Sequence, residues 1–154
     1  MALLRSTLQD GLRVLFSSPP DSAALCAETW AAVMRDYSRS VTPVSTSVDV
    51  AYEALYASLS SIFSASSTLG SAPTVATQME IAWFSFAVTL GSGMSGGGYV
   101  ATPPPSIVGF IQLFNASPKP STHEEAAINF SSRIDTWMRT GIATSSGGVV
   151  QPWS

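Results

Sequence analysis

Three stretches rich in Gly, Ser and Pro cut this chain into short pieces and limit what it can fold into. They are Gly91-Ser92-Gly93-Met94-Ser95-Gly96-Gly97-Gly98, Thr102-Pro103-Pro104-Pro105-Ser106, and the C-terminal run 142–154. Such segments bury too little apolar surface to offset their ordering entropy, so alone they hold no fixed shape. Regular structure is therefore expected outside them, and order within them is expected to come from a neighbouring surface. This points to a component of an assembly.

Between the breaks, apolar residues recur at helical spacing. Leu3, Leu4, Leu8, Leu12, Leu15 and Phe16 predict a helix over 1–16. Ser18, Pro19 and Asp21 read as the start of a second, carrying Leu25, Trp30, Val33, Met34 and Tyr37. A third begins near Ser47, carries Val48, Tyr52, Leu55, Tyr56, Leu59, Ile62 and Phe63, and is expected to end at Gly70, just past Leu69. A fourth is expected from Thr74 or Thr77 to Leu90, with Thr77 and Glu80 as a capping box. Its stripe is Met79, Trp83, Phe86 and Leu90, but Ile81, Phe84 and Val88 lie on the other side. A helix apolar on most faces is central in a bundle or covered by partners. A buried strand is the alternative for the run from Trp83 to Phe86. The apolar element 107–114 is too short to classify. Thr122-His123-Glu124-Glu125 opens the last helix as a capping box with acids in its first turn. Ala127, Phe130, Ile134, Trp137 and Met138 form its stripe, and Thr140-Gly141 ends it.

The fold class is thus mainly α. A bundle of about five helices is expected over 1–141, with a Gly/Pro-rich insertion at 91–106 and an extended C-terminal arm over 142–154.

Composition narrows the function. Charged residues make up 11% of the chain, less than half the ~25% of ordinary soluble domains. Ser (26) and Thr (13) take their place. Such a surface repels itself weakly and suits a chain whose outside is covered by neighbours. The net charge is −3, with six Arg and a single Lys, Lys119. With no basic block, direct nucleic-acid binding is not expected. One cysteine, Cys26, rules out an internal disulfide and a multi-cysteine metal site; beside Ala24, Leu25 and Ala27 it reads as a buried, inert thiol. The N-terminal segment lacks the apolar run of a signal peptide. The most apolar window, Ile81 to Leu90, is half the ~20 residues that a membrane span needs.

No chemical constellation emerges. Gly91-Ser92-Gly93-Met94-Ser95-Gly96 matches the letters of a dinucleotide-binding loop. The glycines, Tyr99-Val100 and prolines that follow leave no helix to hold a pyrophosphate, so it reads as a flexible loop. His123, the only histidine, reads as an exposed helix-start residue, since Glu124 and Glu125 do not face it. Asp49 and Glu53 are like charges on one helix face, open to a partner's Arg or to water. No catalytic, cofactor-binding or metal-ligating residue is assigned. The aromatic stripes read as core. Trp153 differs: it follows Pro152 on a segment with no core of its own, and reads as an anchor docking into a neighbouring subunit. Val149, Val150 and Tyr99 are its companion interface candidates.

The last helix, ending Trp137-Met138-Arg139-Thr140-Gly141, and the tail Gly147-Gly148-Val149-Val150-Gln151-Pro152-Trp153-Ser154 resemble, in a short Ser/Ala/Gly-rich helical chain, small virion components of tailed bacteriophages. The resemblance covers about a quarter of the chain. It implies a non-enzymatic role at a head–tail connector, tail or capsid position, in several copies around a symmetry axis, and hence a virion location. Outside a virus the chain would be cytoplasmic. No site residue is carried over.

The expected function is that of a structural assembly protein whose partners are copies of itself and other structural proteins. Its association is expected to come from buried apolar area, with modest salt sensitivity. Removal of the arm beyond Gly141 is expected to weaken it. The alternatives are a small helical enzyme or ligand-binding bundle with a site formed in space, and, less favoured, a membrane-active helical protein using 81–90.

Overall fold

A computed structural model of the chain describes residues 2–65 and 70–154. Among them are six helices: α1 (Arg5–Ser17), α2 (Ala23–Ser38), α3 (Val48–Ser64), α4 (Ala72–Ser92), the single-turn α5 (Phe110–Phe114) and α6 (His123–Met138). They form a bundle, as the apolar periodicity requires. The contacts run α6–α1–α2–α3–α4, and α5 packs on α4. Aromatic rings then close the circuit. Phe110 of α5 meets Trp83 of α4 edge-on at 5.0 Å and stacks with Phe130 of α6 at 6.0 Å. Trp30 of α2 touches both Trp83 and Phe130. The two edge-to-face contacts of Trp83, with Phe110 and Trp30, are an arrangement that ring quadrupoles favour.

Local sequence explains most boundaries. Ser22, not Ser18, caps α2 by accepting from the Leu25 N–H at 3.2 Å. The Pro19–Pro20 pair is the reason: a residue before proline avoids the helical region, so Pro19 cannot begin a helix. Ser71 caps α4, with Pro73 in its first turn. Thr77 therefore lies inside the helix, and the expected Thr77–Glu80 capping box does not form. Trp83 to Phe86 is helical and not a strand. The described part of α3 ends at Ser64, and its expected end at Leu69 lies outside the described residues. Thr122 caps α6 as the sequence predicts, accepting from the Glu125 N–H at 3.0 Å.

The acid of that box also works. Glu125 Oε2 accepts from both the N–H and the hydroxyl of Ser121, at 2.7 and 2.9 Å. These donors favour the carboxylate and hold its pKa below the usual 4.5. A lowered folded-state pKa contributes stability above the usual value and loses it as pH falls through the lowered one. The stability difference between the natural chain and Glu125→Gln is therefore expected to be full at neutral pH and to close on acidification below pH 4.5. Urea titrations at stepped pH check this.

Glu80 has a different task. It is buried on α4, and its Oε1 accepts from the N–H groups of Gly109 and Phe110 at 2.9 and 2.8 Å. It thereby fixes the start of α5, where Gly109 takes a left-handed φ of +100° against Arg133. Glu80→Ala would leave two backbone donors without their acceptor, at about 1–3 kcal/mol each. Glu80→Gln keeps an acceptor oxygen, and a far smaller shift in the urea midpoint is expected for it.

A second buried polar link ties α2 to α6. The Tyr37 hydroxyl donates to Asp135 Oδ1 at 2.7 Å. Arg139 Nε donates to Asp135 Oδ2 at 2.9 Å, and the same guanidinium reaches the Leu3 carbonyl. Burial, reinforced by the Asp135 bond, pushes the Tyr37 phenol far above its ordinary range.

The largest departure from expectation is at the C-terminus. Residues 142–154 are no free arm. They form a hairpin of β2 (Ile142–Ser145) and β3 (Val150–Pro152), turned at Gly147-Gly148. β2 pairs antiparallel with β1 (Tyr99–Thr102), with Val100 opposite Thr144, and Thr144 opposite Val150. The Gly-rich loop is ordered too: 93–97 is a 3-10 turn that carries α4 into β1. The three-stranded sheet closes one end of the bundle, and Trp153 is the plug. It is 0% exposed, and Gly141 and Gly91 lie against its ring. A Cβ on Gly141 would stand 2.5 Å from Trp153 Cδ2. Beyond the plug, Thr42 and Ser154 exchange two backbone hydrogen bonds, at 2.6 and 3.1 Å.

Candidate functional site

The interface residues predicted from sequence separate in the structure. Trp153 is not available to a neighbour, because its own chain buries it. Tyr99 is half-buried on the inner side of β1. Val149 and Val150 remain outside, 65% and 62% exposed.

Val150 belongs to a larger surface. Alternation along the strands puts Val100, Thr102, Ile142, Thr144, Val150 and Pro152 on the outer face of the sheet. Val100 is 75% exposed. A groove of about 340 Å³ joins this face to α4, lined by Val88, Ser92, Tyr99, Val100 and Pro103 among others. A second, of about 220 Å³, joins α4 to α3 along Ser58, Ser61, Ile62, Gln78, Ile81 and Ser85. The surface therefore runs unbroken from the second half of α3, across α4, to the sheet. Ile81 and Val88, the apolar residues on the second face of α4, lie on it, 56% and 43% exposed.

This surface carries no charge. From Ala54 to Pro118 the only charged residue is Glu80, and it is buried under α5. From Thr140 to Ser154 there is none. Most of the charges instead gather on α1, α2, α6 and the start of α3, where several pair with one another. Arg13 sits near Asp10 and Glu124, and Arg39 near Asp36 and Asp49. Asp49, which the sequence leaves open to a partner's arginine, thus meets one from its own chain. Arg35 lies over the ring of Tyr52 at 4.6 Å. The molecule has a charged side and a side made of Ser, Thr, Gly and exposed aliphatics. The signal was in the sequence as the charge-free run 54–118 with one interruption; only the fold shows that the interruption is hidden.

The Gly-x-Gly-x-x-Gly letters mark the end of α4 and the turn after it. Gly91 admits the Trp153 ring, and Gly93 packs against Ser45 and Ser47. No α-helix begins there to hold a phosphate. Cys26 is not fully buried: it is half-exposed on the wall of a cleft at the bundle end opposite the sheet. Burial still pushes its thiol up, which lowers its reactivity. His123 lines the same cleft, with Ser121 nearby. The neighbouring carboxylates are committed elsewhere, Glu125 to Ser121 and Glu124 to Gln9 at 2.9 Å. Among the described residues, no three His, Cys, Asp or Glu side chains are grouped to hold a metal ion. Nor is any helix among them long and apolar enough to cross a membrane. Comparison of the chain with protein-family models, curated proteins and solved structures gives no match.

Proposed function

We propose that this chain is a non-enzymatic structural subunit of a multi-subunit particle, joined to its neighbours through the charge-free side. One observation carries the reading: the segregation of charge. A monomeric surface mixes charges over its whole area to stay soluble. Here one side does so and the other offers Val88, Val100, Val150 and Ile81 with only uncharged residues around them. Interface cores are depleted of charge in the same way. The short β1 edge beside this patch leaves backbone groups available to a neighbouring strand. Partners are further copies and other structural proteins of the particle. The resemblance of the C-terminal quarter to tailed-phage virion components supports a tailed-phage virion as the particle, with a connector, tail or capsid-associated position.

The test is the solution mass by light scattering at low and high salt. An oligomer that survives high salt is expected, because apolar association is not screened. A monomer at every concentration and salt would overturn the proposal.

A further inference from the structure

The three-stranded sheet has two edges, and the chain treats them differently. In the hairpin, the Ser145 N–H donates to the Val149 carbonyl and the Trp153 N–H to the Gly141 carbonyl. Backbone groups alternate sides along a strand. Gly141, Ala143 and Ser145 therefore turn theirs toward β3, and Ile142 and Thr144 turn theirs toward β1. The β1–β2 register then gives Val100 and Thr102 to the ladder and points the N–H and C=O groups of Tyr99 and Ala101 outward. The same alternation points Val150, Pro152 and Ser154 outward on the far edge. That edge is closed: Pro152 has no N–H, and Ser154 exchanges two bonds with Thr42. The β1 edge is open. Tyr99–Thr102 holds neither proline nor charge, and among the described residues nothing bonds the outward groups of Tyr99 and Ala101. A groove of about 340 Å³ lies beside it, between Tyr99, Val100 and Ala101 on one side and Val88, Ser92 and Ser95 on the other. Proteins ordinarily blunt a sheet edge with charge, proline or a covering segment. One edge here is blunted in two of these ways and the other in none.

We propose that the β1 edge pairs with the β1 edge of a second copy, antiparallel across a two-fold axis at Val100, so that two three-stranded sheets become one of six strands. The inference rests on the assembly reading above and names one of its contacts. The strand is complementary to itself in one register, with Tyr99 of each copy opposite Ala101 of the other. Each of these two pairs exchanges both N–H···O bonds, four in all. Sliding by two residues one way sets Pro103, which has no N–H, opposite Tyr99. Sliding the other way sets Ala101 against Gly97, which belongs to the 3-10 turn and not to the strand. In the fitting register Val100, 75% exposed in the subunit, meets its own copy on the outer face. On the inner face the large Tyr99 stands opposite the small Ala101. A two-fold interface sets a patch against itself, so a charge near the axis would meet its like. The stretch 54–118 has no charge except the buried Glu80, and a second copy is the occupant that this suits.

Cysteine crosslinking of the full chain tests the register. Cys26→Ser removes the only native thiol, so one placed at Val100 or Thr102 stands alone. Across the axis the two Val100 positions form a non-hydrogen-bonded pair with Cα atoms about 4.5 Å apart, within reach of a disulfide. The two Thr102 positions are offset by four residues, about 14 Å, and are out of reach. Both residues are exposed on the same face. With diamide as oxidant, Val100→Cys is expected to form a linked dimer about tenfold faster than Thr102→Cys or more. Ala101→Pro removes an outward N–H and spares the bonds between β1 and β2, a change that edge strands tolerate. It deletes two of the four bonds between copies. At about fivefold each, the dissociation constant read by light scattering is expected to rise about thirtyfold. Circular dichroism checks the fold, and should Ala101→Pro unfold, the crosslinking rates decide alone. An oligomer in which Val100→Cys links no faster than Thr102→Cys would overturn the β1 pair and leave the assembly reading standing. So would a folded Ala101→Pro chain that associates like the natural one. Weaker association of Ala101→Pro without the Val100 crosslink would assign the edge to a different strand, which also overturns the pair. A monomer throughout would overturn both readings.

Discussion

Replacing Trp153 with alanine is expected to destabilise the chain by about 3–5 kcal/mol, the range for a fully buried tryptophan. That is a large part of the 5–15 kcal/mol available to a domain of this size. The reason is its place in the fold. Its ring fills the junction of α4, the sheet and the turn after α6, against Gly91 and Gly141. Its indole N–H has no hydrogen-bond partner among the described residues, so its contribution is packing. Trp153→Phe is therefore expected to retain much of the stability that alanine loses. Gly141→Ala approaches the same contact from the other side. The added Cβ collides with the ring, and overpacking of about 1–3 kcal/mol is expected. Urea unfolding of the three variants checks the set. A Trp153→Ala chain as stable as the natural one would mean that the tail does not close the bundle. A chain cut after Gly141 loses two strands and this plug together, so that truncation reports on folding and cannot isolate assembly.

The second large effect concerns the charge-free side. Val100→Arg combined with Val88→Arg is expected to dissociate the proposed oligomer while leaving the subunit folded. Both valines are exposed, so their substitution should change subunit stability by no more than about 0.5 kcal/mol. In an interface each arginine would be buried without a partner, at about 3 kcal/mol or more, roughly a hundredfold in the association constant. Light scattering gives the mass and thermal unfolding the integrity. A matched pair on the charged side, Glu28→Arg with Asp21→Arg, is expected to leave the mass unchanged. If both pairs behaved alike, the segregation of charge would have no bearing on assembly.

The helices were legible because their signal is local. Heptad-like stripes such as Val48, Tyr52, Leu55 and Leu59 depend on 3.6-residue periodicity alone. So does the Thr122 cap, whose partner lies three residues away. Local readings failed where two local signals competed. Pro20 displaced the start of α2 to Ser22, and Ser71 with Pro73 started α4 before Thr77 could. Glu80 looked like a capping acid for its own helix but caps α5, about thirty residues on. The hairpin left a faint mark, Gly147-Gly148 between Thr- and Val-rich runs, which is a turn signal.

What the sequence by itself determined is the five long helices, the scarcity of charge and the lack of any convergent chemical motif. These follow from composition and short-range periodicity. What only the tertiary structure decided is where the irregular segments go. Strand β1 finds β2 some forty residues later, and a four-residue strand has no identity until its partner is in place. Trp153 had no core within its own segment, and the core it enters is built by α4 and the sheet. Pairing and burial across such separations are properties of the closed chain, because the free energy that holds each short segment comes from surfaces supplied by distant ones.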